Sequence, residues 1–228
     1  MRKLKVLIGC EESQAVCKAF RALGHEAYSC DLLPCSGGHP EWHLQMDVFE
    51  AIKLKEWDLG VFHPECTRLT VTANKWYKPE YSDRFPNIHK EREGAVKFFM
   101  WIVDCGLPHY AIENPIGIMS TRYRKPNQVI QPYQFGDPER KSTCLWLKGL
   151  PNLKNTNVVE PNIITFKSGK TMSACHFNSV GLSKEERRKA RSVTFPGIAT
   201  AMATQWSEYI LNQKPSEPKM LMTQLTLL

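Results

Sequence analysis

The chain has 228 residues, of which 42% are apolar, 23% charged and 10% aromatic, an ordinary globular composition that argues against disordered, collagen-like and coiled-coil architectures. Its longest strongly apolar run, Phe98 to Val103, falls well short of the about 20 residues that a membrane-crossing helix needs, and the opening MRKLKVLIGC meets Glu11 and Glu12 too soon for a secretion signal, so a one-domain cytosolic protein is expected. Lys and Arg number 30 against 23 Asp and Glu, a formal charge of +7 that favours a polyanionic partner.

Leu4 to Gly9 reads as a strand. Ala15, Val16, Ala19, Phe20 and Leu23 then repeat at three and four, which predicts an amphipathic helix over Ser13 to Leu23 closed by Gly24. Glu26 to Cys30 reads as a second strand ending at Asp31, and this βαβ opening predicts a parallel sheet. Further strands are expected at Asp58 to Phe62, His109 to Ile112 and Thr143 to Leu147. Helices are expected from about His89 to Cys105 and from about Gly197 to Gln213. Ser183 and Glu186 have capping-box spacing ahead of the basic run Arg187, Arg188, Lys189 and Arg191. Residues 1–213 form the expected catalytic domain. Residues 214–228, with two prolines and the ending MLMTQLTLL, read as a linker and a short apolar tail.

In open α/β sheets ligands bind beyond the carboxyl ends of the strands. Four segments follow such ends here: Gly9-Cys10-Glu11-Glu12, Asp31, His63-Pro64-Glu65-Cys66-Thr67 and Glu113-Asn114-Pro115. Eight cysteines without a secretion signal are free thiols, metal ligands or a nucleophile sooner than a disulfide framework. A buried Cys beyond a strand is often a small hydrophobe. A thiol and a carboxyl at neighbouring strand ends, however, can attack and polarise one planar substrate from two sides.

Six segments in order resemble the cytosine-5 DNA methyltransferases, in particular the short bacteriophage versions. VLIGCEESQAVCKAFRALGHEAYSCDLLP is similar to the family's first strand, helix and second strand, MDVF to its third cofactor motif, and WDLGVFHPECTRLT to the strand leading into the nucleophile. AIENP resembles the Glu-Asn motif, QFGDPERKSTCLWLKGLPNL a later block, and RSVTFPGIATAMATQW the closing motif. The resemblance implies an α/β Rossmann-like methyltransferase sheet with helices on both faces, S-adenosylmethionine as methyl donor and cytosine in DNA as substrate. Cys66 would add to carbon 6. Glu113, kept protonated by a raised pKa, would bond ring nitrogen 3 and the exocyclic amine. Asn114 would shape the loop, and Arg68 or Lys141 would favour the thiolate. For the cofactor, Gly9, Cys10, Glu11, Glu12 and His63 would line the methionine end, Asp31 would face the ribose and Asp47 the adenine amine. Gly197 and Ala199 would let backbone approach the cofactor carboxylate at a helix N-terminus.

Three departures from the family pattern stand out. The first turn lacks its glycines, carrying Cys10 to Gln14, so Glu12 and Gln14 are expected to point outward or to bond the cofactor amine. Glu65 replaces the proline before the nucleophile and disfavours thiolate. The span from the Glu-Asn motif to the closing motif leaves no room for a large recognition domain. Nucleic-acid contact is therefore expected from Arg68, from Arg122, Arg124 and Lys125 with Tyr123 stacking on a base, and from Arg187, Arg188 and Arg191. Single-stranded DNA or a cytidine nucleotide is the easier substrate for so small an enzyme. Two other readings stay open. One keeps the fold as a nucleic-acid-binding protein without turnover. The other takes Cys30, Cys35, His39 and His43 as a zinc-built binding module.

Overall fold

The computed structural model describes residues 2–213; the expected linker and tail at 214–228 lie outside the described residues. In chain order the elements are β1 (Lys5–Gly9), α1 (Ala15–Ala22), β2 (Glu26–Asp31), β3 (His43–Gln45), α2 (Val48–Lys53), β4 (Leu59–Phe62), α3 (Ile88–Val103) and β5 (Tyr110–Pro115). There follow α4 (Met119–Arg122), β6 (Gln128–Ile130), β7 (Thr143–Lys148), β8 (Ile163–Thr165), β9 (Thr171–Ser173), α5 (Ala174–Asn178), α6 (Lys184–Ser192) and α7 (Pro196–Asn212).

Seven strands form one sheet in the order β3-β2-β1-β4-β5-β7-β6, while β8 and β9 pair separately. The first five in that order are parallel, and β7 runs antiparallel between β5 and β6. This is the Rossmann-like α/β sheet with helices on both faces that the resemblance implies, and its central strand β4 is buried throughout as an inner parallel strand must be.

Side-chain alternation divides the core into two layers. Val6 and Ile8 of β1 turn toward Val16, Phe20, Met202 and Trp206 of α1 and α7. Leu7 turns the other way, toward Val48 of α2 and Phe99 and Ile102 of α3. The left-handed Gly24 (φ 82°) and Gly106 (φ 82°) sit just after α1 and α3, where the sequence places their ends. Between β7 and α7 the described residues hold only the β8–β9 ribbon and the short α5 and α6.

Gly9 lies at the centre of this packing. A Cβ there would come within 2.5 Å of the Phe62 ring and 2.7 Å of Val48, so the missing side chain is demanded by β4 and α2. The Gly9→Ala variant is expected to lose about 1–3 kcal/mol through overpacking, read as a lower urea midpoint at unchanged slope.

Candidate active site

Register brings the strand ends to one edge. Gly9 is level with Cys30 and with Phe62, and Phe62 with Ile112. Cys10, Asp31, His63 and Glu113 therefore emerge side by side. The turn after β1 keeps a glycine-like shape without glycine: Cys10 (φ 60°) and Gln14 (φ 59°) are both left-handed, at a cost of about 1 kcal/mol or more each. The Glu11 carboxylate, expected beside the cofactor, is turned into its own helix and accepts from the amides of Val16 (2.7 Å) and Cys17 (3.2 Å). Burial raises its pKa, against opposing influences from His63 and those amides. Gln14 is fully buried; it donates to the His39 carbonyl (2.7 Å) and accepts from the His39 amide (3.0 Å). It neither points outward nor is left for a ligand. Glu12 accepts from the Ser36 hydroxyl.

The loop after β4 carries Cys66 and is laced to the end of β5. The buried Asn114 amide donates to the Pro64 carbonyl at 2.8 Å. The amide of Ile118 donates to Leu69 (2.8 Å) and that of Val71 to Ile116 (3.1 Å). A Cβ on Gly117 would collide with the Leu69 carbonyl, so this close approach requires glycine. Within the loop, the amides of Leu69 and Thr70 both donate to the Cys66 carbonyl.

Glu113 and Cys66 sense one another. Burial raises the Cys66 thiol, the Glu113 charge raises it further, Lys141 lowers it and Glu65 adds a smaller upward push. Arg68 does not supply the expected relief, because it is paired with Glu91 at 2.6 Å. Lys141 does act on the thiol, and its ammonium also donates to the Arg191 carbonyl at 2.7 Å.

The raised pKa expected of Glu113 is not what the site produces. Burial pushes this carboxyl up, but the His63 hydrogen bond (3.1 Å), the His63 charge and Lys141 outweigh it and leave Glu113 below its ordinary value. The family resemblance implies a place for His63 at the cofactor's methionine end. Its Nδ1 instead faces Glu113 Oε2, with side-chain exposures of 10% and 16%.

At the β2 side the edge is acidic. Burial, then the charges of Asp31, Cys30 and Asp47, raise the Cys10 thiol. Asp31 accepts from the Leu33 amide through Oδ1 (2.9 Å), and Asp47 from Phe49 through Oδ1 (2.8 Å), capping α2. The other oxygen of each accepts no hydrogen bond from the described residues. These acceptors fit the hydroxyls and amine of S-adenosylmethionine. The N-terminus of α7 fits less well: Gly197 lies against the Phe135 carbonyl, and its amide donates to Asp137 at 2.8 Å. Ala199 is packed into the core. Neither is left for a cofactor carboxylate.

Several expected nucleic-acid contacts have partners within the chain. Arg122 pairs with Glu93 (2.7 Å), and Arg124 donates to the Asn127 side chain and the Leu147 carbonyl. The half-buried Tyr123 ring packs on Phe99 (6.2 Å between centroids). Arg187 gathers the carbonyls of Ser179, Val180 and Leu182, and Arg191 bonds the Ser179 hydroxyl. Both arginines pin the turn before α6. Lys125 and Arg188 are exposed.

The four residues of the zinc reading disperse to other partners. Cys30 donates to the Met46 carbonyl, Cys35 is a free thiol, His39 stacks on Trp42, and His43 bridges Ser29 and the Leu33 carbonyl. No metal-binding group of three or more such residues occurs among the described residues.

Two features carry no expectation from the sequence. Asp137 caps a helix 60 positions away, and nothing local announces it. Lys75 (4.3 Å) and Arg84 (5.4 Å) lie over the Trp76 ring, which also meets Tyr81 and Phe85 edge-on. The signal for that cluster is the aromatic and basic interleaving in NKWYKPEYSDRF, the criterion that singled out Arg122 to Lys125.

No protein-family model matches the chain, and no curated protein matches it. Among solved structures it is similar to the Dnmt2 methyltransferase of S. pombe, with TM-score 0.42 and 16% identity over 66% of this chain and 50% of that one. It is also similar to the Entamoeba histolytica methyltransferase EhMeth, with TM-score 0.47 and 12% identity over 72% of this chain and 59% of that one. A putative DNA modification methyltransferase of an E. coli prophage gives TM-score 0.39 and 12% identity over 64% and 46%. The chain thus spans about half the length of these structures.

Two outcomes follow from the geometry. Replacing Glu113 by Gln removes a charge that raises the Cys66 thiol, so alkylation of Cys66 by iodoacetamide at neutral pH, followed by peptide mass spectrometry, is expected to speed up several-fold. The Asn114→Ala variant strands the Pro64 carbonyl and is expected to cost about 1–3 kcal/mol, with Cys66 more exposed to the same reagent.

Proposed function

We propose that the chain is a DNA (cytosine-5) methyltransferase of the short bacteriophage type, with residues 1–213 as its catalytic domain. Cys66 adds to carbon 6 of cytosine, and Glu113 binds ring nitrogen 3 and the exocyclic amine. Asn114 holds the nucleophile loop, and Lys141 favours the thiolate. The observation that carries this reading is the lacing of the Cys66 loop to the end of β5, which sets a thiol beside Glu113 at the carboxyl edge of the sheet.

At rest the charges are the reverse of those the reaction uses. Cys66 is held as a thiol and Glu113 as a carboxylate, whereas attack needs thiolate and a protonated acid. The two arrangements contain the same number of protons. A cytosine that bonds Glu113 through nitrogen 3 stabilises the protonated carboxyl, and loss of the Glu113 charge in turn lowers the Cys66 thiol. Substrate binding thereby switches on the nucleophile, and a free site stays unreactive.

Asp31 and Asp47 would bind the ribose hydroxyls and adenine amine of S-adenosylmethionine, which supplies an electrophilic methyl group when bound. The cytosine must leave a duplex stack to reach Cys66, so single-stranded DNA or a cytidine nucleotide is the readier substrate. Lys125, Arg188 and the Lys75–Trp76–Arg84 cluster supply exposed charge for the phosphates.

The deciding experiment offers methyl-labelled S-adenosylmethionine with duplex DNA, single-stranded DNA, RNA and cytidine nucleotides. Label is expected in cytosine carbon 5 with wild-type protein, and a loss of about a hundredfold or more is expected in Cys66→Ala. Label in none of the four would reject catalysis and leave the nucleic-acid-binding reading.

A further inference from the structure

An open groove of about 670 Å³ runs from Lys3, ahead of β1, along Lys18 and Arg21 of α1 to His39 and Trp42 ahead of β3. None of its lining residues belongs to the loops after β4 and β5 that carry Cys66 and Glu113. Its charge is one-sided. Lys3, Lys18 and Arg21 pair with no carboxylate among the described residues. The one acid in the lining, Glu26, is bonded to Lys55 at 2.7 Å, and nearby Glu41 faces His39 at 3.1 Å.

The wall of the groove is held by buried polar contacts. Gln14, fully buried, donates to the His39 carbonyl (2.7 Å) and accepts from the His39 amide (3.0 Å). The residue that the glycine-poor turn carries thereby props His39, which stacks on Trp42 with centroids 3.8 Å apart and 13° between the planes. Arg21 lies over Trp42 at 5.0 Å and over Tyr28 at 4.9 Å. Its Nε donates to the Ala27 carbonyl at 2.7 Å, covering a stretch of β2 that β3 leaves open, since β3 pairs only with Ser29, Cys30 and Asp31. Two aromatic rings and one hydrogen bond thus fix the guanidinium, so little side-chain freedom is lost when an anion meets its fork.

Lys18 and Arg21 stand one turn apart on α1 and share a face. Cations set in a row along an open groove suit successive phosphates of a strand. A single compact anion would call for donors that converge on one point.

We propose that this groove is a phosphate track for a DNA strand, a contact separate from the site at Cys66. Lys3 and Lys18 neutralise phosphates of the strand, and Arg21 takes one in its fork. The contact reads no base, and the affinity it supplies falls with salt. It goes beyond the methyl-transfer reading and does not depend on it, because a strand binds here whether or not its cytosine is methylated.

The test follows binding of a fluorescent single-stranded DNA by anisotropy between about 50 and about 200 mM salt. It compares the full-chain wild type, a Lys3→Gln/Lys18→Gln double variant and a Lys53→Gln/Lys154→Gln control outside the groove. All four lysines are exposed, so both variants keep the fold while losing the same charge. With two phosphate contacts gone, the slope of log affinity against log salt is expected to become shallower by about 1.4 in the groove variant, with affinity at low salt down about tenfold, and to hold near the wild-type value in the control. An unchanged slope in the groove variant, or an equal change in the control, would overturn the proposal. In the wild type the bound strand is expected to protect Lys3 and Lys18 from acetylation, read by peptide mass spectrometry, and absence of protection would overturn it as well. Methyl transfer is scored separately with labelled S-adenosylmethionine. Protein that shows the groove contact but transfers no methyl sinks the methyltransferase reading alone, and protein that methylates cytosine while the groove variant binds like wild type sinks the phosphate track alone.

Discussion

One buried hydrogen bond organises the chemistry of this protein: the Asn114 side chain reaching across to the Pro64 carbonyl. The loops after β4 and β5 leave adjacent parallel strands and have no ladder to hold them once the strands end. Asn114 supplies the first cross-link, and the Leu69–Ile118 and Ile116–Val71 contacts continue it. A loop that would otherwise wander thereby fixes a thiol next to a carboxyl, and rigid placement of reacting groups is where much catalytic power originates.

Electrostatics at that edge follow from what surrounds each group more than from what each group is. Glu11 is buried and Glu113 largely so, yet they depart in opposite directions. Glu11 spends its oxygens on two helix amides and remains dominated by loss of water, while Glu113 meets an imidazole and a lysine and stays charged. Burial alone would have assigned them the same fate.

The parts of this arrangement that sequence makes legible are those with local signals. The β1-α1-β2 unit is visible because Val16, Ala19, Phe20 and Leu23 recur at helical spacing between two apolar runs, and Gly24 closes the helix where a left-handed residue is required. The strands β3 and β6 have three residues each, too few to establish a period. Position at the strand ends was readable for Cys66 and Glu113. The protonation of Glu113 was not, because it depends on a histidine 50 positions earlier whose reach is set by sheet register. The roles of Glu11, Gly197 and Tyr123 were hidden in the same way: each has its surroundings decided by a tertiary contact that no nearby residue betrays.

The helix starts at this edge are already occupied. Ser13 lies beneath the first amide of α1, Glu11 accepts from the next two, and Asp137 neutralises the beginning of α7. Rossmann-type sheets that hold dinucleotides depend on such amides being open to a pyrophosphate. With these amides closed and Asp31 and Asp47 alongside, this edge presents acceptors where such a sheet would present open donors. Three side chains, Ser13, Glu11 and Asp137, thus take up the helix-end amides on which an anionic group would otherwise sit.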